Sequence, residues 1–183
     1  MRFLIFLVGF FLPALPAMAQ GTDPNAVAAI EMGRNDWDQA LKLAETAEPL
    51  AVDVLTWMRL LDGDAPFARY QSFLAERPDW PRIDRLRAAG ERVIEKGHNP
   101  AQVVAWFADT APQTGAGALR LAEALTTTGQ IQQAEAILRE AWLSLGLTAT
   151  EHDDLIAAFG DVLAPFHIAR TDAMLWRSRR SDA

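Results

Sequence analysis

The apolar residues of this 183-residue chain recur three and four apart, as in Leu119, Ala122 and Leu125 and again in Ile137, Leu138, Ala141 and Trp142. That spacing places them on one face of an α-helix, while a strand would need alternation every second residue. No such alternation is sustained, and no Asn-Gly or Asp-Gly turn joins two β-branched runs. Ala, Leu, Glu, Arg and Gln dominate, all good helix formers. The chain is therefore expected to be all-α.

Helix punctuation cuts it into short elements. Asp64 and Pro66 read as the start of a helix through Tyr70, Phe73 and Leu74 that ends near Pro78. Asp79, Trp80 and Pro81 open the next, through Leu86 and Val93 to Gly97. Asn99-Pro100 caps a helix carrying Val103, Val104, Trp106 and Phe107, and residues 115–128 and 130–145 form a pair hinged at Gly129. Thr148 and Glu151 have capping-box spacing for a helix that stops at Gly160, and a last helix spans residues 166–177. Connections this short turn successive helices back on one another, so a series of antiparallel hairpins is expected. Gly129-Gln130-Ile131-Gln132-Gln133-Ala134 with Ala141 has the register of the second helix of a tetratricopeptide hairpin. Asn35-Asp36-Trp37-Asp38-Gln39-Ala40 with Ala47 repeats it. The expected architecture is a right-handed superhelical stack of antiparallel helix hairpins, a degenerate tetratricopeptide-like solenoid, with a compact helical bundle as the alternative.

Half the residues are hydrophobic and 22% are charged, the composition of a folded chain long enough for one domain. The formal net charge is −7, which disfavours binding along a nucleic acid or on an anionic lipid surface. There is no cysteine, so disulfides, thiolate metal sites and cysteine nucleophiles are excluded.

Residues 1–19 read as a secretory signal: Arg2 at a positive start, an apolar run over residues 3–12, and Ala17-Met18-Ala19 as a small-x-small cleavage pattern before Gln20. The apolar run is too short to span a bilayer as a helix, and Pro13 and Pro16 interrupt it. An uncleaved anchor is the alternative. The expected product is a periplasmic helical domain over residues 20–183 with no stable membrane insertion after cleavage.

Chemistry-bearing residues are sparse. His98, His152 and His167 are scattered, no two lie four apart on one helix as a zinc site would need, and no metal or cofactor site is expected. Asp153 and Asp154 beside His152 read as a charged surface turn. Nucleophile-elbow and phosphate-loop motifs are absent. The glutamates sit on mixed helices where charge reads as the solvated face, and none stands out as buried. Of the six tryptophans, Trp57, Trp106 and Trp142 read as core anchors, whereas Trp80, between Asp79 and Pro81-Arg82, is the candidate for an exposed ring that stacks on sugar.

Several segments together resemble the helical N-terminal region of the soluble lytic murein transglycosylases. They are Tyr70-Gln71-Ser72-Phe73-Leu74-Ala75-Glu76-Arg77-Pro78-Asp79-Trp80-Pro81 with Leu86-Arg87-Ala88-Ala89-Gly90-Glu91, then Ala141-Trp142, Phe159-Gly160-Asp161-Val162-Leu163, and His167-Ile168-Ala169-Arg170-Thr171-Asp172-Ala173-Met174-Leu175-Trp176. The resemblance implies a curved periplasmic scaffold belonging to an enzyme that cleaves peptidoglycan strands. It does not carry over a catalytic residue, because the family's Glu-Ser pair and Gly-Leu-Met-Gln stretch do not occur here. The expectation is a non-catalytic scaffold whose partner is peptidoglycan or a catalytic or envelope protein. An independent tetratricopeptide-like adaptor for another envelope protein is the alternative. Residues 175–183 read as the first helix of a further hairpin, so the helical region is expected to be cut short, with Leu175 and Trp176 lacking a partner.

Overall fold

The structure, a computed structural model, describes residues 24–33, 36–47 and 49–178. The expected signal sequence and cleavage point before Gln20, together with Asn35 and the end of the C-terminal tail, lie outside the described residues. All regular structure among the described residues is helical: α1 (Pro24–Gly33), α2 (Trp37–Ala44), α3 (Pro49–Leu61), α4 (Phe67–Glu76), α5 (Ile83–Arg92), α6 (Pro100–Trp106), α7 (Gly115–Thr127), α8 (Ile131–Ser144), α9 (Ala149–Leu163) and α10 (His167–Trp176), with a 3-10 turn at Ala164–Phe166 before the last. No helix of the described residues is long and apolar enough to cross a membrane.

Local sequence accounts for most of the starts. The Asp36 carboxylate accepts from the N–H of Asp38 and Gln39 at 3.1 and 3.0 Å and so caps α2. Asn99 does the same for α6, accepting from Ala101 N–H at 3.0 Å, with Pro100 in the first turn, where a missing N–H is harmless. Thr148 and Glu151 form a reciprocal capping box at α9, with distances of 3.2 and 2.9 Å. Gly129 takes φ +78° between α7 and α8, a left-handed turn that a side chain disfavours.

Four boundaries differ from the sequence reading. Pro66 is the extended flanking residue of α4 rather than part of its first turn, and Asp64 faces Arg59 Nε at 3.7 Å instead of capping. Helix α5 stops at Arg92, so Gly97 (φ +78°) belongs to the following turn. Helix α9 does not stop at Gly160. It bends at Phe159 (φ −138°, ψ 29°) and continues to bury Leu163. Helix α2 ends at Ala44 because Pro49 soon opens α3, which leaves Ala47 of the proposed repeat register outside the helix.

Packing largely follows chain order: successive helices rest on one another from α1 to α5 and from α6 to α9, α10 rests on α8, and α1, α3, α5, α7 and α9 also touch in succession. Two apolar clusters share α3. Leu55 belongs to one with Ala29, Trp37, Ala40 and Ala44, and Leu60 belongs to the larger one that runs from Phe67 and Tyr70 to Trp142 and Leu163. Alanines dominate the smaller cluster, so it buries little area per residue. Tyr70 is fully buried and donates to the Leu60 carbonyl at 2.7 Å. Burial, with the nearby Asp64 and Asp62 charges, pushes its phenol up to about 12.

One polar arrangement ties the middle of the chain together. Glu91 on α5 is only 2% exposed, although no carboxylate stands out as buried in the sequence. It accepts from Gln113 N–H at 3.0 Å, Thr114 N–H at 2.8 Å and the Thr114 hydroxyl at 2.7 Å. Thr114 in turn caps α7 by accepting from Gly117 N–H at 2.9 Å. Glu151, from α9, accepts from Ala116 N–H at 3.3 Å. The start of α7, which leaves N–H groups without intrahelical partners and carries the positive end of the helix dipole, is thus met by carboxylates from both flanking helices. Gly115 and Gly117 make room for them: a Cβ on Gly117 would collide with the Glu91 carboxylate, and one on Gly115 would come within 2.8 Å of Glu151.

Burial pushes the Glu91 carboxyl above the ordinary glutamate range, against the pull of the Thr114 hydroxyl and the two N–H groups. Burial also opposes charge on Glu151, but the N–H groups of Thr148 and Ala116 outweigh it and hold that carboxyl below the range. Glu91→Ala would strand the donors of Gln113 and Thr114 beside a cavity. It should lower stability by about 3 kcal/mol, read as a shifted urea midpoint. The folded Glu91 holds its proton to higher pH than the unfolded one. The stability it confers is therefore complete below the ordinary glutamate range and lost as pH rises through the raised value. Glu91→Gln should flatten that stretch of the stability–pH profile, measured by denaturation from about pH 4 to about pH 8.

Candidate functional site

Helices α3 and α5 pack beside each other but leave an open groove of about 690 Å³ between them. One wall is the Trp57, Met58, Leu61, Asp62 face of α3. The other is the row Arg82, Arg85, Ala88, Ala89, Arg92 along α5. Spacings of three, four and seven put that row on a single helix face. The two alanines at its middle are too small to close the gap.

The start of α5 is fixed by unusual means. Arg82 has φ 60° and ψ 37°, a left-handed backbone that a non-glycine residue disfavours, and its side chain makes no capping hydrogen bond. Just before it, the Pro81 carbonyl accepts from the Trp57 indole N–H at 2.9 Å, which fastens the entry segment to α3.

Charge in the groove is one-sided. Among the described residues the guanidinium groups of Arg82 and Arg85 make no hydrogen bond or ion pair, and Arg92 donates to the Ala88 carbonyl at 3.2 Å. Asp62 is the one acid among the lining residues. Three nearby arginines are committed to structure: Arg77 grips Asp53 with both Nε and Nη2, at 3.1 and 2.9 Å, Arg59 reaches Asp38 at 2.9 Å, and Arg87 lies over the Trp106 ring at 5.5 Å. A chain with net charge −7 thus keeps three cations together on one open surface. Guanidinium groups stay protonated at any physiological pH, so the three arginines can bind and orient anions but do not themselves serve as general acids or bases. A second groove, between α8 and the end of α9, encloses about 510 Å³ and sets Glu135 and Asp161 against Arg139, which leaves its lining net acidic.

Of the residues singled out from sequence, Trp80 is partly buried, edge-on to Phe73 at 5.8 Å, and lies beside the groove's entry segment rather than in its lining. Trp57 is partly buried and lines the groove, whereas Trp106 and Trp142 are core, as is Trp37. The most exposed tryptophan described is Trp176, at 82%. His98 bonds Gln102 at 3.0 Å and packs on Phe67. His152 and His167, scattered in sequence, converge on the Trp142 ring at 5.1 and 5.5 Å, and the buried Arg170 lies over that ring at 4.6 Å. Asp153 stands 3.2 Å from the His152 ring nitrogen. No group of three His, Asp or Glu able to hold a metal occurs among the described residues. Sequence reading missed the groove because its two walls are separated by the whole of α4. The local signal it offered was the Arg82, Arg85, Arg92 spacing.

Family models, curated proteins and solved structures were all compared with this chain, and none of them matches it.

Arg82 sits where glycine would be at ease. Arg82→Gly should raise stability by about 1 kcal/mol in thermal or urea unfolding, which would identify the arginine as kept against the backbone's preference.

Proposed function

We propose that this chain is the non-catalytic helical scaffold region of a periplasmic peptidoglycan lytic transglycosylase, positioning cell-wall glycan for a catalytic domain on another segment or partner. The observation that carries the reading is the cationic, indole-walled groove. Ala88 and Ala89 of its α5 wall, and the Trp80-Pro81 turn that leads into it, fall within the segments whose sequence resembles that family. Peptidoglycan offers both halves of a match: sugar rings suited to an indole face and peptide carboxylates suited to guanidinium groups.

The chain-order packing, with odd-numbered helices in successive contact, supports a right-handed superhelical, tetratricopeptide-like stack. Such a stack presents an extended surface well suited to a polymer. The buried Glu91 supports the non-catalytic side of the proposal, since each of its oxygens is already held by α7 donors and neither faces an open groove.

A second reading, an adaptor for another envelope protein, is favoured by α10. Ile168, Leu175 and Trp176 are exposed there at 86%, 51% and 82%, an apolar display beyond scattered surface residues.

The purified chain should sediment with peptidoglycan sacculi and release no soluble muropeptides from them. Retention of a periplasmic protein from extract, with no retention on sacculi, would favour the adaptor instead.

A further inference from the structure

We propose that the α3–α5 groove is a subsite for an extended peptide bearing several carboxylates, the chemistry presented by the peptide stems of the cell wall. This rests on the peptidoglycan reading above and adds to it what the groove recognises: the acidic peptide rather than the sugar.

The dimensions select the ligand. At about 1.5 Å of rise per residue, Arg82 and Arg92 stand about 15 Å apart along α5, with Arg85 between them. A single phosphate or sulfate can meet only one or two of these cations. A peptide advancing about 3.3 Å per residue covers the row in four or five residues and can offer a carboxylate to each. Ala88 and Ala89 leave room for its backbone midway, and Trp57, Met58 and Leu61 give an apolar wall for its carbon chain.

Charge balance agrees. Arg82 and Arg85 have no carboxylate partner of their own among the described residues, in a chain with an excess of acids. Arg92 also acts at a distance on the buried Glu91 and the half-buried Glu151 carboxylates, so part of its charge is already answered. Arg82 and Arg85 therefore carry most of the recognition. The left-handed backbone at Arg82 adds an independent sign, because strain held in place at the rim of a groove is common where a side chain has a ligand to meet.

The test uses the whole chain after signal removal. Fluorescence anisotropy would follow a labelled four-residue peptide with three carboxylates, its fully amidated counterpart, and inorganic phosphate as competitor. The carboxylate peptide should bind, weaken several-fold between about 50 and 200 mM salt as exposed charges are screened, and outbind the amidated peptide at least tenfold. Arg82→Gln with Arg85→Gln should weaken it at least tenfold while thermal unfolding stays unchanged, and Arg82→Gly should bind less tightly even though it folds more stably. Equal binding of the amidated peptide, full displacement by millimolar phosphate, or a double variant that binds like the parent would each overturn the proposal. Sacculus sedimentation separates this failure from that of the broader reading. If parent and double variant sediment equally, the groove proposal falls and the scaffold reading stands. If the parent binds the peptide in a charge-dependent way but ignores sacculi, the groove proposal stands and the wall-binding function falls.

Discussion

The first turn of α7 is where the fold is decided. A helix that begins inside a protein leaves N–H groups that water cannot reach, and each one unmatched costs about as much as a lost hydrogen bond. Here the partners come from outside the helix. Glu91 of α5 takes the N–H groups of Gln113 and Thr114, and Glu151 of α9 takes that of Ala116. A carboxylate has a narrow range of positions from which it can do this, so satisfying α7 fixes where α5 and α9 lie. Apolar contact alone would hold these helices together but would allow them to slide. Gly90 extends the same constraint toward the other side of α5, since a Cβ there would come within 3.1 Å of Trp106 and Tyr70. Along one short helix, then, a glycine admits the aromatic rings and the next residue anchors α7.

That placement explains why a groove exists on the face of α5 that meets α3. Helix α5 is held from α7 and from Tyr70 and Trp106, and its mean composition is polar, so it gains little by closing on α3. What joins α3 to the start of α5 is a single indole hydrogen bond to Pro81. The space between is left to Ala88, Ala89 and the arginines. Arg92 links the two roles of the helix: its charge lies close enough to Glu91 and Glu151 to favour their ionised forms.

What the sequence made legible was whatever depends on neighbours in the chain. The all-helical class follows from three- and four-residue spacing. The caps at Asn99 and Thr148 and the turn at Gly129 need only residues within one turn of each other, and the structure has them. Where a boundary was misplaced, a longer-range demand prevailed: α9 runs past Gly160 because Leu163 has a core site to fill. Glu91 was illegible for the same reason. Nothing beside it in sequence announces burial, and its donors lie on a loop beyond α6. The paired glycines at 115 and 117 were the available hint, because glycine at a helix start signals a close approach whose partner the sequence cannot name. The groove's arginines were visible as residues but not as a cluster, since their meaning depends on meeting a single acid, Asp62, across the groove.

The gathering of residues around Trp142 shows how the last helices are held by a different kind of interaction. Its ring is fully buried, with His152 of α9 and His167 and Arg170 of α10 all drawn to it, while Arg170 also donates to the Trp142 and Leu145 carbonyls. Arg177 reaches the Leu143 carbonyl at 2.6 Å. Two arginines of α10 therefore answer the carbonyl groups that the end of α8 leaves without helical partners, the mirror image of the carboxylates that answer the start of α7. Between them, α7 and α8 form a hairpin whose free N–H groups face acids and whose free carbonyls face bases. Carboxylates thus hold α5 and α9 at the amino end of α7, and arginines hold the segment of α10 at the carboxyl end of α8.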